Sequence, residues 1–407
     1  MTATTGQSPR GQGSSWFAWA SVLAALALVG SAALYLWIGD DHSDIGVYHH
    51  YALTFFEPSG PARHLPLEYP PLALVPFSLT LLPLGIDYGA LFVLAMAALF
   101  IAAWIAVART ASRSTAIAFA IYLLLAGPWT LLGRYDLVPA LVVLAAVTAA
   151  GRRRWSAAYA LLAIGVLLKL FPLFVFPLFA LEQRREARSQ TIGLRRLAVV
   201  ARGPVIFVVI VLAGAGAAAL VEPGGWLAPF RYAFGRPVES ESVAATVLWI
   251  LSGFGSPGTI ERSFNSVNVV APGSGAVGAA CLLALACGCL LVYALHARGR
   301  LTLRRASLTC LAVVVVTSKV LSPQYLVWLL PLVAFEVGLE PVWVGVCVLT
   351  LIAYPIVFEL AGLIDAHRAA DFPFAFLAAV AARNALLIVA TVHVIRARSR
   401  APTVAVA

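Results

Sequence analysis

A cluster of acidic and histidine residues follows the first long apolar stretch of the chain. The segment 39–51 reads GDDHSDIGVYHHY and contains three aspartates and three histidines. A carboxylate in such a polar segment can act as a general base that takes a proton from an attacking hydroxyl. Asp44 precedes residues with the spacing of an amphipathic helix, so its alternative role is that of a helix N-cap. The spacing of DDHSD matches no standard set of metal ligands.

The two lysines, Lys169 and Lys319, share an unusual setting. They are the only lysines among 28 basic residues, and both lie in apolar sequence beside a proline, in LLKLFP and TSKVLSP. A cation inside a membrane costs about 2.5–3.5 kcal/mol unless it reaches the headgroups or finds an anion. One interpretation is that each lysine snorkels to the outer headgroups. Because both share one setting, we favour the other interpretation, that they bind a lipid phosphate at the membrane interface.

The composition defines the kind of protein that positions these residues. Of 407 residues, 61% are hydrophobic and only 11% are charged, whereas a soluble domain is about 25% charged. So much apolar surface cannot be hidden by ordinary packing in water. The composition therefore excludes a soluble enzyme, a disordered chain and a nucleic-acid binder, despite the net charge of +10. It indicates a membrane protein with several spans.

Thirteen apolar segments separated by polar breaks are candidates for membrane crossings. Several are shorter than the roughly 20 residues that a straight span needs, so hydropathy alone does not decide which of them cross. The segments are 16–38, 71–86, 88–108, 114–132, 137–151, 155–168, 171–181, 203–221, 275–296, 306–320, 324–338, 341–362 and 374–395.

Arginine placement favours twelve crossings. If 71–86 stays at the surface and the N-terminus lies inside, most basic residues fall on the inner side and most acidic residues on the outer side. This is the distribution that the positive-inside rule requires. We therefore predict an all-α polytopic membrane protein with about 12 transmembrane helices. It has a cytoplasmic tail at 1–15, one transmembrane domain at 16–395 and a second cytoplasmic tail at 396–407.

Proline breaks and flanking arginines shape two further segments. The three prolines of 71–86 predict a broken element that lies along or dips into the outer face. Arginines on both sides of 155–181 require the chain to go out and return near 169–172, in a hairpin that lines a protein cavity. Two long outer loops result, 39–87 and 222–274, and we expect the chemistry there.

Several short motifs resemble glycosyltransferase family 87 and related members of the GT-C superfamily. A resemblance of this kind implies a GT-C-type fold with interfacial helices in the first outer loop. It also implies an inverting enzyme that takes a sugar from a polyprenyl-phosphate donor outside the membrane. The residues that carry the resemblance are DIGVY at 44–48, EYPPL at 68–72, GRYDLVPA at 133–140, LKLFP at 168–172 and SKVLSPQYLVW at 318–328.

The resemblance also implies roles for individual residues. Asp44 is expected to be the base that accepts the proton of the acceptor hydroxyl. The leaving phosphate needs cations, and the candidates are, in order of preference, Lys319, Lys169, Arg134, Arg231 and Arg236. The sugar or the acceptor is expected to contact Tyr48, His49, Glu68, Tyr69, Asp136, Gln324 and Tyr325. We expect no cofactor and no metal, since lysines and arginines supply the neutralising charge.

Three functions fit this pattern. The first is transfer of a sugar, mannose in preference to arabinose, from a polyprenyl-phosphate donor to a lipid-linked or envelope glycan. The second is a transporter or flippase of a lipid-linked sugar, and the third is a scaffolding membrane protein. An outer carboxylate and histidine cluster favours the transferase. We expect a protein of the plasma membrane with both termini cytoplasmic and the active site outside, whose partners are donor, acceptor and membrane lipid, and not nucleic acid.

Overall fold

A computed structural model describes residues 21–33, 44–58, 62–190, 194–360, 362 and 372–396. These residues are mostly helical, as predicted. Several sequence-based expectations lie outside the described residues: those on the tail 1–15, on nearly all of 396–407, and on Asp40, Asp41 and His42.

The helices follow the apolar segments of the sequence closely. Short 3₁₀ turns at Pro71–Ala73, Leu79–Leu81, Phe171–Val175 and Gly225–Leu227, and a π-type turn at Ile352–Val357, join some of them. The α-helices are α1 Ser21–Ala33, α2 Ile45–Phe56, α3 Leu74–Ser78, α4 Tyr88–Thr110, α5 Arg113–Leu125, α6 Pro128–Leu131, α7 Leu137–Gly151, α8 Trp155–Leu168, α9 Phe176–Gln190, α10 Leu194–Val221, α11 Ala228–Gly235, α12 Val243–Leu251, α13 Ser274–Ala297, α14 Leu303–Thr317, α15 Tyr325–Glu336, α16 Pro341–Leu351, α17 Phe358–Leu360 and α18 Phe374–Arg396.

Among the described residues, five helical stretches are long and apolar enough to cross a membrane: Tyr88–Thr110, Val200–Val221, Ser274–Ala297, Pro341–Leu360 and Phe374–Arg396. Shorter apolar helices occupy other predicted segments, including α5, α7, α8 and α15. The protein is therefore a helical protein of membrane type. Twelve crossings and the GT-C-type arrangement stay predictions.

The centre of the helical assembly is formed by α14 and α15. Every residue of α15 from Leu326 to Ala334 is buried, and so is nearly every residue of α14 from Leu303 to Val315. A helix that is apolar on all sides is stable only when other elements surround it, and here α5, α7, α13 and α18 pack around the pair. The loop 318–324 between α14 and α15 thus starts and ends in a rigid core.

The hairpin predicted near Lys169 is present. Helix α8 ends at Leu168 and α9 begins at Phe176. The far ends of the two helices lie side by side, because Glu186 of α9 pairs with Arg153 at 3.2 Å and accepts a hydrogen bond from Trp155 Nε1 at 3.0 Å. The break therefore reverses the chain and places Lys169 at its turn.

The segment 71–86 contains no continuous helix. Two 3₁₀ turns flank α3, and bends follow up to Ile86. Phe77 is buried, whereas Leu79, Leu82 and Leu84 are each more than half exposed. A row of exposed leucines beside buried aromatic residues is typical of an element at a membrane surface. Its position relative to a membrane stays a prediction.

The segment 222–274, predicted to be an outer loop, corrects the all-α prediction locally. It contains a three-stranded antiparallel sheet with the order β1-β3-β2, formed by β1 Val238–Glu239, β2 Thr259–Ser263 and β3 Ser266–Val270. Strand β3 (SVNVV) alternates polar and β-branched residues over its first four positions, a pattern that favours a strand and that hydropathy alone does not separate from a loop. The sheet forms one wall of the candidate site.

Candidate functional site

A polar cavity of about 550 Å³ lies between α2, the 133–136 turn, the small sheet and the 318–324 loop. Side chains of both charges face it from elements far apart in sequence. The charged and amide residues that line it are Asp44, Glu68, Arg134, Arg236, Glu239, Glu241, Arg262, Asn265 and Gln324. Such a mixture suits a ligand rich in hydroxyl groups, which both donates and accepts hydrogen bonds.

Asp44 lies at the N-cap position of α2, but its side chain does not cap the helix. Its Oδ2 instead forms an ion pair with Arg134 and accepts a hydrogen bond from the Tyr48 hydroxyl at 3.3 Å. The sequence therefore predicted the start of the helix at Asp44 correctly. The alternative capping role of the Asp44 carboxylate is wrong. Asp44 Oδ1 has no hydrogen bond within the described part of the chain, and Asp44 lines the polar cavity.

Aromatic packing fixes Asp44 in this place. Tyr48 is fully buried and stacks on Phe77, with ring centroids 4.4 Å apart, and meets Tyr135 edge-on at 5.4 Å. Aromatic contacts of this kind join α2 to the 71–86 segment and to the turn that carries Arg134. Burial raises the pKa of Tyr48 well above its ordinary value, so its hydroxyl remains a donor to Asp44. Tyr48 lies beneath the cavity and supports Asp44.

Lys169 and Asp136 form a buried ion pair behind the cavity. Lys169 Nζ lies 2.6 Å from Asp136 Oδ1, which also accepts a hydrogen bond from Trp328 Nε1 at 2.5 Å. The ammonium also faces three aromatic rings. Its Nζ lies 5.4 Å from the ring centroid of Tyr69, 5.0 Å from that of Tyr135 and 5.3 Å from that of Trp328. The anion and the rings stabilise the lysine inside the protein, so it does not snorkel to the headgroups.

A second, mainly apolar cavity of about 370 Å³ adjoins the first. Its walls come from the Lys169 turn, α11, α13, α14 and α15, and they include Phe171, Phe230, Phe234, Leu282 and Trp328. Lys169 and Lys319 both line it. Cations at the edge of an apolar cavity suit an amphiphilic ligand with an anionic head.

Five residues belong to both cavities and form a shared wall: Glu68, Tyr69, Tyr232, Arg236 and Gln324. Arg236 pairs with Glu239 at 3.5 Å. Its Nε and the Oε1 of Gln324 are buried and have no hydrogen-bond partner among the described residues. Buried polar atoms without partners are uncommon in proteins, and at this wall they are available to a ligand.

Glu68 ties the shared wall to the small sheet. Its Oε1 accepts a hydrogen bond of 2.6 Å from Asn265 Nδ2, at the tip of the β2–β3 hairpin. Burial, reinforced by the negative charge of Asp44, raises the pKa of the Glu68 carboxyl. The tip is also held by Tyr232, whose hydroxyl donates to the Phe264 carbonyl at 2.6 Å.

Lys319 has a single hydrogen-bond partner among the described residues. Its Nζ donates to the Phe234 carbonyl at 2.9 Å, and no carboxylate in the described part of the chain pairs with it. Burial and the nearby charge of Arg236 lower its pKa. The ammonium thus faces the apolar cavity with uncompensated charge.

Sequence reasoning missed the acidic turn 239–241 and its anchor in the last helix. Glu241 pairs with the fully buried Arg383 of α18 at 3.2 Å, and Glu239 Oε1 accepts a hydrogen bond from Ser322 Oγ at 2.7 Å. Burial, opposed by Arg383, raises the pKa of Glu241 to about 7. An arginine within an apolar helix is itself a signal of a buried partner.

The structure does not bring every predicted residue into a cavity. Arg231 is exposed, and His49 stacks on Tyr88 with ring centroids 4.0 Å apart. These two residues, together with Tyr48 and Asp136, line neither cavity, whereas Tyr325 lines the apolar one. Within the described ranges, no group of three histidine, cysteine or acidic residues could hold a metal ion.

Comparison with known proteins gives one match. The sequence model of glycosyltransferase family 87 matches residues 67–323, more than half of the chain. No curated protein and no solved structure matches. The matched region includes both lysines, the small sheet and four of the five residues of the shared wall, all but Gln324. It ends before α15 and excludes both Asp44 and Arg383.

Proposed function

The chain belongs to glycosyltransferase family 87, and from this membership we propose that it transfers a sugar from a polyprenyl-phosphate donor to an acceptor hydroxyl. The supporting observation is the contact between the two cavities. A lipid-linked sugar has an apolar chain, a phosphate and a polar sugar in that order. The apolar cavity, the cationic shared wall and the polar cavity follow the same order.

In this proposal the polyprenyl chain occupies the apolar cavity, and the phosphate lies at the shared wall. Arg236 and Lys319 are its first ligands, because Arg236 has an unpaired donor and Lys319 has no carboxylate partner in the described ranges. Lys169 contributes less, since Asp136 already balances its charge. Cations held in a partly dry site stabilise the charge that develops on a departing phosphate.

Asp44 acts as the base. The acceptor oxygen attacks C1 of the sugar and loses its proton to the Asp44 carboxylate, while the bond from C1 to the phosphate oxygen breaks and polyprenyl phosphate leaves. Attack opposite the leaving group inverts the anomeric centre. Arg134 and Tyr48 hold Oδ2, which leaves Oδ1 for the proton. Arg134 therefore orients the base and does not bind the phosphate in this arrangement.

The proposed sugar and acceptor rest on the family resemblance, and the proposed sidedness rests on the distribution of arginines. We propose mannose as the sugar, a lipid-linked or envelope glycan as the acceptor, and the outer face of the plasma membrane as the place of reaction. The polar cavity has both donors and acceptors for hydroxyl groups, and Gln324 and Glu68 lie where the sugar would meet the phosphate. The arginine-rich turns lie at the helix ends away from the two cavities, and the positive-inside rule places such turns on the inner side of a membrane.

The test is transfer by the purified full-length protein from synthetic polyprenyl-phospho-mannose, with the arabinose analogue in parallel, to a membrane extract. Asp44→Asn keeps the size of the side chain and removes the base. We expect it to lower transfer by at least about 10²-fold, with donor binding retained. Arg231→Gln, at an exposed residue outside both cavities, is the control. Full activity in Asp44→Asn would refute the base, and absence of transfer from either donor would favour the transporter.

A further inference from the structure

A third cavity lies at the other end of the helical assembly. It has a volume of about 170 Å³ and lies between the C-terminal half of α9 and the last residues of α13. Helix α13 begins beside the small sheet, and residues 281–285 in its first half line the apolar cavity. Its 24 residues span about 36 Å. The third cavity therefore lies about the thickness of a bilayer from the end of α13 beside the small sheet, and about 16 Å along the helix from Leu285 of the apolar cavity.

The walls of this cavity are strongly basic. Arg184, Arg185 and Arg188 line it from one helix, and Glu182 is the one carboxylate among its lining residues. Glu182 Oε2 lies 3.8 Å from Arg185 Nη1, and the side chain of Arg185 remains 58% exposed. The positive charge therefore exceeds the negative charge, and Arg184 and Arg188 form no ion pair among the described residues. A guanidinium matches the geometry of a phosphate oxygen pair.

The floor of the cavity contains polar atoms that the protein leaves unsatisfied. His296 is buried, and its Nδ1 lies 3.0 Å from the Leu301 carbonyl, which can only accept a hydrogen bond. Its Nε2 is 3.4 Å from Glu182 Oε2, within ion-pair distance, but neither atom has a hydrogen bond to any described residue. Buried polar atoms without a hydrogen bond are uncommon in proteins, so this pair indicates a ligand position beside the arginines.

We propose that this cavity binds a phosphate-bearing anion, supplied by the headgroup of an anionic phospholipid. The location favours a lipid over a soluble phosphate, because His296 and Ala297 end a helix long and apolar enough to span a membrane. Basic pockets between helices at this level of a membrane suit anionic headgroups. The site is independent of glycosyl transfer and lies in the leaflet opposite the candidate site.

The test uses the full-length protein in nanodiscs of phosphatidylcholine with a minor fraction of phosphatidylglycerol. Native mass spectrometry after release from the discs counts the phosphatidylglycerol molecules that stay bound. The variant Arg184→Gln/Arg188→Gln removes two cavity arginines, and both side chains are exposed, so folding is retained. We expect about a tenfold loss of bound phosphatidylglycerol, because each arginine contributes a charge-assisted contact.

The matched control is Arg298→Gln/Arg300→Gln, which removes the same charge from exposed residues just past the end of α13 and outside the cavity. It is expected to keep the lipid. Equal losses in the two variants, or no preference of the wild type for phosphatidylglycerol, would overturn the site. Addition of inorganic phosphate distinguishes the sources: retention in its presence identifies the lipid, and displacement at millimolar phosphate identifies a soluble anion as the ligand.

Discussion

Single carboxylates in this protein differ in what surrounds them. Asp44 has one oxygen held by Arg134 and Tyr48 and lies at a cavity. Asp136 is completely buried and shares its Oδ1 between Lys169 and Trp328. A base must reach solvent or substrate, whereas a buried counterion must not. The surroundings of Asp44 therefore suit the proposed base, and those of Asp136 suit a buried counterion.

The Lys169–Asp136 pair should behave as a structural unit. Lys169→Met leaves the Asp136 carboxylate buried without its cation, which we expect to cost roughly 3–5 kcal/mol of stability. Lys169→Met/Asp136→Asn should recover most of that loss and most of the donor binding, because the pair has no net charge. The measurement is thermal unfolding together with donor affinity for the two variants.

Lys319→Met is the comparison for this pair. Lys319 has no carboxylate partner in the described ranges, so its loss should weaken donor binding and leave stability unchanged. The control Arg298→Met, just past the C-terminal end of α13, should change neither donor binding nor stability.

For the ion pair itself, one outcome would contradict the prediction. If Lys169→Met/Asp136→Asn stays as unstable as Lys169→Met, the ion pair is not what stabilises this turn.

Glu241 should make stability depend on pH. Its pKa is about 7 in the folded protein, against an ordinary value of 4.5. Between about pH 4.5 and pH 7 the Glu241 carboxyl is protonated in the folded protein and ionised in the unfolded chain. Its contribution to the free energy of unfolding is therefore fully present below about pH 4.5 and is lost as the pH rises through about 7. We expect a loss on the order of 3 kcal/mol, since the pKa of about 7 already includes the opposing effect of Arg383. Glu241→Gln should remove this part of the pH dependence of the melting temperature, and an unchanged profile would contradict the assignment.

Short elements place the site, and they were the hardest to predict. The long apolar helices and the break at Lys169 follow from hydropathy and from the positions of proline and arginine. The pairing of β1 with β3 and the anchoring of the 239–241 turn by Arg383 depend on contacts between residues far apart in sequence. The aromatic cluster that holds Asp44 is of the same kind. No local pattern specifies such contacts, so the sequence predicted Asp44 and the lysines but not their partners.

The segment 71–86 offers a test at the scale of an element. Leu84 is 58% exposed and lies among bends, so Leu84→Cys should react with a membrane-impermeant thiol reagent from outside the cell. Asp87 is a less suitable position, because its side chain caps α4 by accepting from Ala90 N at 3.2 Å. Arg298→Cys, beyond the far end of α13, should react only after the membrane is opened. Reaction of Leu84→Cys only from inside would show that the segment crosses.

At the scale of the whole molecule, the proposed function places the lipid and the sugar of the donor in two adjoining cavities. If the apolar cavity binds the lipid, a donor with a short chain loses contacts that are worth about 0.8 kcal/mol per buried methylene group. We expect kcat/KM for a donor with one isoprene unit to fall by at least about 10²-fold relative to a long-chain donor. Activity that is independent of chain length would place the lipid outside the apolar cavity.

The tip of the β2–β3 hairpin limits how the rim of the polar cavity can vary. Its two turn residues, Phe264 and Asn265, both have positive φ, and Ser263 pairs directly with Ser266. Beneath them Val267 and Val269 are buried, and one added residue in β3 would turn these valines outward. The length of the hairpin is thus set by the core, while the side chain at position 264 remains variable. A substitution at position 264 would therefore change the chemistry of this rim without changing how far the hairpin reaches over the cavity.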